Sequence, residues 1–432
     1  MMKYILMFGA LAAGLRLASQ SYTSYFTGDV EDIVVQPTPG IVLAGGGGDN
    51  DNAMQWFLER ANGGDVLVIR TSGADGYNSY LFSDLGVDVN SVETILFNNA
   101  TASEDEYVIT QIENAEAIFI AGGDQWNYVD YWKDSSVEVA LNDHINIKQG
   151  VIGGTSAGSA IQGGHYFSAE NGTVYSDEAL DNPYNNYMTI GHQDFLQYNI
   201  LENVITDTHY NDPDRRARHL AFLARIFADG YPQALGIGCN EYVAVCIDEF
   251  GMARAFGEYP DYDDWAYFLR HGCDEPWTPE VCAEDLPLTW NRNQNALYVF
   301  RMNADVNGSN SFDLNDWMTA DGGNWQEWWV QDGVFNVNEV SDGPQCALDE
   351  VTHVETQTQK SSIKVFPNPC DALLNITSFH ANTTVTIFDS MGVLVSGIDA
   401  LDNGVIVSTA HWPAGVYSIQ VGNIIERLVV IH

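Results

Sequence analysis

Val151-Ile152-Gly153-Gly154-Thr155-Ser156-Ala157-Gly158-Ser159-Ala160 reads as a short apolar strand entering a G-x-S-x-G turn, followed by small residues that can open a helix. Such an elbow holds a serine hydroxyl exposed at a strand end, close to backbone N–H groups. Gly154 and Gly158 suit it because the turn is strained and a side chain at either would crowd backbone and substrate. The N–H of Ala157 then points to where an oxyanion forms. In a chain with 39 glycines the pattern also arises by chance, so the flanking segments decide.

Outward from the elbow, residues 40–248 alternate apolar strands with amphipathic helices. Gly40–Ala44 is a strand ending in Gly45-Gly46-Gly47-Gly48, and Asn52–Ala61 a helix with Met54, Phe57 and Leu58 on one face. Val66–Arg70 and Val92–Phe97 are strands, Glu104–Ile112 is helical, and Ala117–Ala121 is a strand ending in Gly122-Gly123-Asp124-Gln125. Strands separated by helices imply right-handed β-α-β units and an α/β fold, a parallel sheet flanked by helices. Ligands of such sheets sit beyond the carboxyl ends of the strands. The polyglycine turn, Gly122–Gln125 and Ser156 therefore share one rim. No Lys-Ser/Thr follows the polyglycine, and no G-x-G-x-x-G spacing accompanies it, which argues against nucleotide binding.

A serine hydroxyl needs a base within hydrogen-bond reach and a group to orient that base. Among ten histidines, His209 ends the apolar run Val204-Ile205-Thr206-Asp207-Thr208, so it reaches the rim and precedes Arg215, Arg216 and Arg218. Three arginines within four positions, in a chain with 17 basic residues, form a concentrated anion-binding feature. His165 is the weaker candidate, since no strand pattern delivers it to the rim. Glu170, Asp177, Glu178 and Asp181 fall between Ser156 and His209, giving the order serine, acid, histidine; spacing does not choose among them.

The 432 residues carry 17 Lys+Arg against 59 Asp+Glu, a net charge of −42. So acidic a surface repels nucleic acid and anionic lipid. Residues 1–19 have the form of a secretory signal, with Lys3 before an apolar stretch too short to span a bilayer. No later segment reads as transmembrane. Six cysteines suit an oxidising destination, with Cys273 and Cys282 the expected bridge. They lack zinc-site spacing, and Asp305, Asn307, Ser309, Asp313 and Asp316 read as a polar hairpin turn rather than a calcium loop. No metal or cofactor is expected. Residues 250–340 read as an accessory β region, 341–362 as a polar linker, and 363–432 as a small β-sandwich of short alternating strands.

Taken together these segments resemble the cyanophycinase and dipeptidase E serine peptidases. The matching pieces are Phe119-Ile120-Ala121-Gly122-Gly123-Asp124-Gln125, the Gly154–Gly158 elbow, Asp207-Thr208-His209-Tyr210 with the following arginines, and Gly236-Ile237-Gly238-Cys239-Asn240-Glu241. The resemblance covers about residues 40–255 of a peptidase domain at 20–340. It implies a class I glutamine amidotransferase-like fold with a Ser-His-acid triad cleaving peptide bonds beside aspartyl residues. By that resemblance Ser156 is the nucleophile, His209 the base, and Gly123 and Ala157 the oxyanion-hole donors. Gln125 and Asp207 line the pocket, Arg215 and Arg218 bind substrate carboxylates, and Glu178 is the chosen acid. Cyanophycinases carry Asp-Gln-His-Phe where this chain has Asp207-Thr208-His209-Tyr210, a departure that touches substrate recognition.

The tail, with Val365-Phe366-Pro367-Asn368-Pro369 and Gly415-Val416-Tyr417-Ser418, resembles a type IX secretion sorting domain. The expected protein is an exported serine peptidase. Its partners are a peptide or polyamino-acid substrate and the type IX secretion machinery, and the sequence sets no oligomeric state, a homodimer included. Two rivals differ in class: a carboxylic-ester hydrolase using the same G-x-S-x-G turn, and an exported binding protein that kept the fold and lost the chemistry.

Overall fold

The computed structural model describes residues 20–348, 364–366, 373–377, 383–389, 394–400, 404–421 and 424–430. The signal read at 1–19, the linker beyond residue 348 and Cys370 lie outside them. The chain separates into two compact units, Met1–Leu348 and Asp349–His432.

The first unit begins with β1 (Tyr22–Gly28), β2 (Gly40–Ala44), α1 (Asp51–Arg60), β3 (Asp65–Arg70), α2 (Gly76–Ser79) and β4 (Ser91–Phe97). It continues through α3 (Glu106–Asn114), β5 (Ala117–Ile120), α4 (Gln125–Trp132), α5 (Ser136–Asp143) and β6 (Val151–Thr155). Strands β4, β3, β5, β6 and β2 lie side by side and parallel, as the alternation requires. Every residue of β2, β5 and β6 is buried, the mark of a sheet covered on both faces. Helix α1 starts where the Asn50 side chain accepts the N–H groups of Asn52 and Ala53, and it buries Ala53, Met54, Phe57 and Leu58. The edge strand β1 pairs antiparallel with β4.

Beyond the elbow come α6 (Ala157–Ala160), β7 (His165–Phe167), α7 (Ser176–Asp181), β8 (Ile190–His192), β9 (Val204–Asp207), α8 (Arg216–Ala228) and β10 (Leu235–Cys239). These strands do not join the first sheet. Instead β10 pairs parallel with β9, which pairs parallel with β7, in a second, eight-stranded sheet. The rim read from the sequence as the edge of one sheet is thus a meeting of two.

The strands of region 250–340, read as an accessory β region of the same domain, extend both sheets. Strands β11 (Ala244–Asp248), β12 (Met252–Tyr259), β15 (Ser311–Asp313) and β16 (Ala320–Asp321) continue the first sheet antiparallel from β2. Strands β13 (Trp265–His271), β14 (Leu297–Asn303), β17 (Gly323–Gln331) and β18 (Val334–Val340) continue the second from β10. Their aromatic richness has a physical cause: Phe268, Phe300, Phe312 and Trp317 fill the same core as Ile237 and Val245. A disulfide joins Cys273 to Cys346, 73 residues apart, and not to Cys282 as the spacing suggested. The guanidinium of buried Arg270 donates to the Cys346 carbonyl at 3.0 Å beside that bridge.

The second unit forms a small β-sandwich. Lys364–Phe366, Leu373–Thr377 and Gly404–Ser408 make one sheet. The other joins Leu394–Ala400, Thr383–Asp389, Gly415–Val421 and Ile424–Val430. Leu374, Ile376 and Val407 of the first sheet share a core with Ile387, Ile419 and Leu428 of the second. No helix among the described residues is long and apolar enough to cross a membrane.

Candidate active site

Ser156 follows β6 with φ 53° and ψ −117°, a conformation that a non-glycine residue adopts only under strong constraint. The constraint is local packing. The Ser156 N–H donates to the Ala44 carbonyl at 3.1 Å. A Cβ on Gly154 would stand 2.4 Å from the Gly158 carbonyl oxygen, and one on Gly158 2.1 Å from that of Ile120. Glycine is therefore obligatory on both sides of the serine, and the hydroxyl is held at the carboxyl end of β6.

His209 meets it from the other sheet. Its Nε2 lies 2.7 Å from Ser156 Oγ, and its Nδ1 lies 2.5 Å from Glu241 Oε1. The carboxylate can only accept, so Nδ1 carries the proton and Nε2 offers its lone pair to the serine hydroxyl. The loop bearing His209 has φ 52° there and is tied down by its N–H donating to the Gly45 carbonyl at 2.8 Å. The polyglycine turn makes room for this approach, since a Cβ on Gly46 would stand 2.5 Å from the imidazole. Glu241 comes from the loop after β10, the parallel neighbour of β9, with Gly238 opposite Asp207 in register. Its N–H donates to Asn211 Oδ1 at 2.9 Å.

The carboxylate beside the imidazole is therefore Glu241, and the order along the chain is serine, histidine, acid. Glu178 lies on α7, where its Oε2 accepts the Tyr175 N–H at 2.9 Å, as a helix-capping group. The rule that found His209, a polar residue just past an apolar strand, also marks Glu241 after Leu235–Cys239. The order serine, acid, histidine expected from the sequence does not include it.

A cavity of 390 Å³ opens beside Ser156 and His209, and its lining includes Gly123, Gln125, Ala157, Phe167, Arg215 and Arg218. Gly123 and Ala157 thus line the same space as Ser156. Gln125, the first residue of α4, donates its side-chain N–H to the Phe167 carbonyl and so fixes the cavity's wall. Asp207 stands behind that wall. Its two oxygens accept the Nε and Nη2 donors of Arg218 at 2.8 and 2.5 Å, and both side chains are at most 4% exposed. Burial raises the Asp207 pKa, but the Arg218 charge and hydrogen bonds outweigh it and hold the carboxyl below its ordinary range. The fork of Arg218, expected to hold a substrate carboxylate, is thus taken up by Asp207, because either charge left alone there would be costly. Arg215 donates one Nη1 hydrogen bond to the Thr208 carbonyl at 3.1 Å, and among the described residues its other guanidinium donors meet no acceptor.

His165 sits apart, with its Nδ1 3.0 Å from Nδ1 of His192. Asp305, Asp313 and Asp316 accept backbone N–H groups within tight turns. Among the described residues no group of three or more His, Cys, Asp or Glu is placed to hold a metal ion.

Residues 74–253 match the model of peptidase family S51, and residues 364–430 that of the secretion system C-terminal sorting domain. A cyanophycinase from Geminocystis herdmanii is 26% identical over 259 residues, covering 57% of this chain and 86% of that protein. The crystal structure of a peptidase from an acI-B1 Actinobacterium superposes with TM-score 0.41 at 13% identity, covering 64% of this chain and 98% of the other. A candidate peptidase E from Listeria monocytogenes gives TM-score 0.32 at 14% identity, over 50% of this chain and 98% of its own.

Proposed function

We propose that this serine-type peptidase, a chain carrying a peptidase family S51 domain and a C-terminal secretion sorting domain, hydrolyses peptide or isopeptide bonds next to aspartyl residues. The sorting domain marks it for type IX secretion to the cell surface or the exterior. The observation that carries the proposal is the continuous line from Glu241 through His209 to Ser156, at 2.5 and 2.7 Å.

The chemistry follows from that line. His209 Nε2 takes the proton of Ser156 as Oγ attacks the acyl carbon, while Glu241 holds the tautomer and offsets the imidazolium charge. The developing oxyanion is met by the N–H groups of Gly123 and Ala157. Protonated His209 gives its proton to the leaving amine, and a water then releases the acyl group by the same relay. Arg215, at the cavity wall with donors to spare, receives a free carboxylate of the aspartyl residue. The similarity to cyanophycinases supports aspartyl recognition, and Thr208 lines the cavity beside His209.

A fluorophosphonate should label wild-type protein and not Ser156→Ala. Turnover of α- and β-aspartyl dipeptides, absent in the variant, should exceed that of carboxylic esters. Labelling with ester turnover alone would favour an esterase. Neither labelling nor turnover would leave a binding protein.

A further inference from the structure

Three loops converge on the line Ser156, His209, Glu241: residues 45–48 after β2, 208–215 after β9 and 240–243 after β10. Most of the clasp between them is backbone. The His209 N–H donates to the Gly45 carbonyl at 2.8 Å, the Gly45 N–H to Val243 at 2.8 Å, the Tyr242 N–H to Gly46 at 2.8 Å, and the Tyr210 N–H to Cys239 at 3.3 Å. Asn211 is the exception. Its Oδ1 accepts the Glu241 N–H at 2.9 Å. Among the described residues, apart from His209 to Glu241 itself, this is the one hydrogen bond through a side chain that joins the loop of the base to the loop of the acid.

Both ends of the link are set. On the first loop the Asp212 N–H returns to the His209 carbonyl at 3.3 Å, Asn211 bridges to Asp214, and the Arg215 N–H closes on the Tyr210 carbonyl at 3.1 Å. Asp214 is in turn held by Arg216 at 2.5 Å. On the second loop the ladder of β10 has ended, with Gly238 the last residue in register with β9 and Cys239 the last with β13. The Glu241 N–H has therefore left the sheet and needs another acceptor, and Tyr242 beyond it is turned back at φ 65°. Asn211 supplies that acceptor. The Glu241 side chain is 21% exposed, so a carboxylate whose backbone moves has water to turn to. Asn211 itself is exposed and is not part of the cavity lining, so its effect on the reaction passes through the loops it joins.

We infer that Asn211 is a positioning residue. It fixes the Glu241 backbone where the carboxylate meets His209 Nδ1, and thereby sets how well Ser156 is activated. This rests on the peptidase reading above, and the two can fail separately.

The test measures kcat and KM for Asp-Leu, and the rate of fluorophosphonate labelling, in Asn211→Ala, Asn211→Leu and Asn211→Asp. Asn211→Ala is also made in Glu241→Gln. Removing the acceptor should lower kcat and the labelling rate by about 10- to 100-fold, the scale on which a displacement of about 1 Å acts, with KM within about 2-fold. Asn211→Leu, closer in shape, gives this reading should the alanine variant not fold. Asn211→Asp keeps the acceptor and should stay within about 3-fold of wild type. In Glu241→Gln, adding Asn211→Ala should change labelling by less than about 2-fold, because a residue acting through Glu241 has nothing left to position. Unchanged kcat and labelling without the acceptor, a loss confined to KM, or an equal loss in both backgrounds overturns the inference. In each case Ser156-dependent turnover keeps the peptidase reading intact. If wild-type protein is labelled but does not turn over Asp-Leu, the labelling rates alone decide. No labelling at all removes the nucleophile, and both fall.

Discussion

At the scale of single residues, two glutamates that composition cannot tell apart have different work. Glu241 accepts the His209 Nδ1–H, so an amide in its place would present the wrong tautomer to the serine. Glu241→Gln should lower kcat by about 10⁴-fold, with little change in KM. Glu178 caps the first turn of α7, and Glu178→Gln should leave kcat within a few-fold and cost under about 1 kcal/mol of stability. Steady-state kinetics on one aspartyl dipeptide, with urea unfolding of both variants, checks the pair. The reverse ranking would return the acid to α7. Ser156 and His209 were legible because each ends an apolar run, and the glycines around the serine have no other steric explanation. Glu241 obeys the same rule, but it follows His209 in the chain, outside the order serine, acid, histidine. Asp207 and Arg218 read as two pocket residues because a sequence does not reveal that a carboxylate and a guanidinium will meet in the interior.

At the scale of elements, that buried pair joins β9 to α8, and with Thr173 and Val174 it reaches the segment before α7. Removing one partner strands the other's charge, so Arg218→Met should cost about 3–5 kcal/mol in urea unfolding. Asp207→Leu combined with Arg218→Met should recover part of that loss; if it recovers none, the pair is not the reason. Helix α8 also carries His219, buried, with one ring nitrogen on the Ile205 carbonyl at 3.1 Å and the other on the Tyr210 hydroxyl at 2.6 Å. Burial drives its pKa down to about 4, whereas the unfolded chain titrates near 6.5. Because the folded value is the lower one, its contribution to stability is complete above pH 6.5 and is lost as pH falls toward 4. Between pH 7 and pH 5 that is about 2 kcal/mol. Wild-type unfolding free energy should therefore drop more steeply over this interval than that of His219→Gln, and parallel slopes would refute the assignment. The individual strands and helices of residues 40–248 were legible from period and turn residues. Their division into two sheets was not, because it depends on β11 turning back antiparallel to β2 while β10 pairs with β9. Long-range pairing of that kind leaves no local signature, and neither does the choice of Cys346 over Cys282.

At the scale of the whole molecule, 17 basic residues cannot neutralise 59 acids, and the acidic excess is concentrated in the peptidase unit. The last 70 residues carry only two basic and five acidic side chains. Arg215, Arg216 and Arg218 are a cationic island in this field, and two of the three are already paired, with Asp214 and Asp207. A folded unit holds its acids closer together than the unfolded chain does, so self-repulsion opposes folding, and salt relieves it. Screening shortens from roughly 30 Å at 0.01 M to about 3 Å at 1 M. The unfolding temperature should therefore climb by several degrees across that range. The same field repels the aspartyl carboxylate on its way to Arg215, so kcat/KM should rise with salt at low ionic strength, mainly through KM. With a dipeptide whose aspartyl side is uncharged, kcat/KM should not rise with salt, although the unfolding temperature still does. If both substrates respond alike, the kinetic effect belongs to the fold and not to the island at the cavity. A fall in unfolding temperature with salt would mean that the paired charges, and not the unpaired acids, dominate the balance.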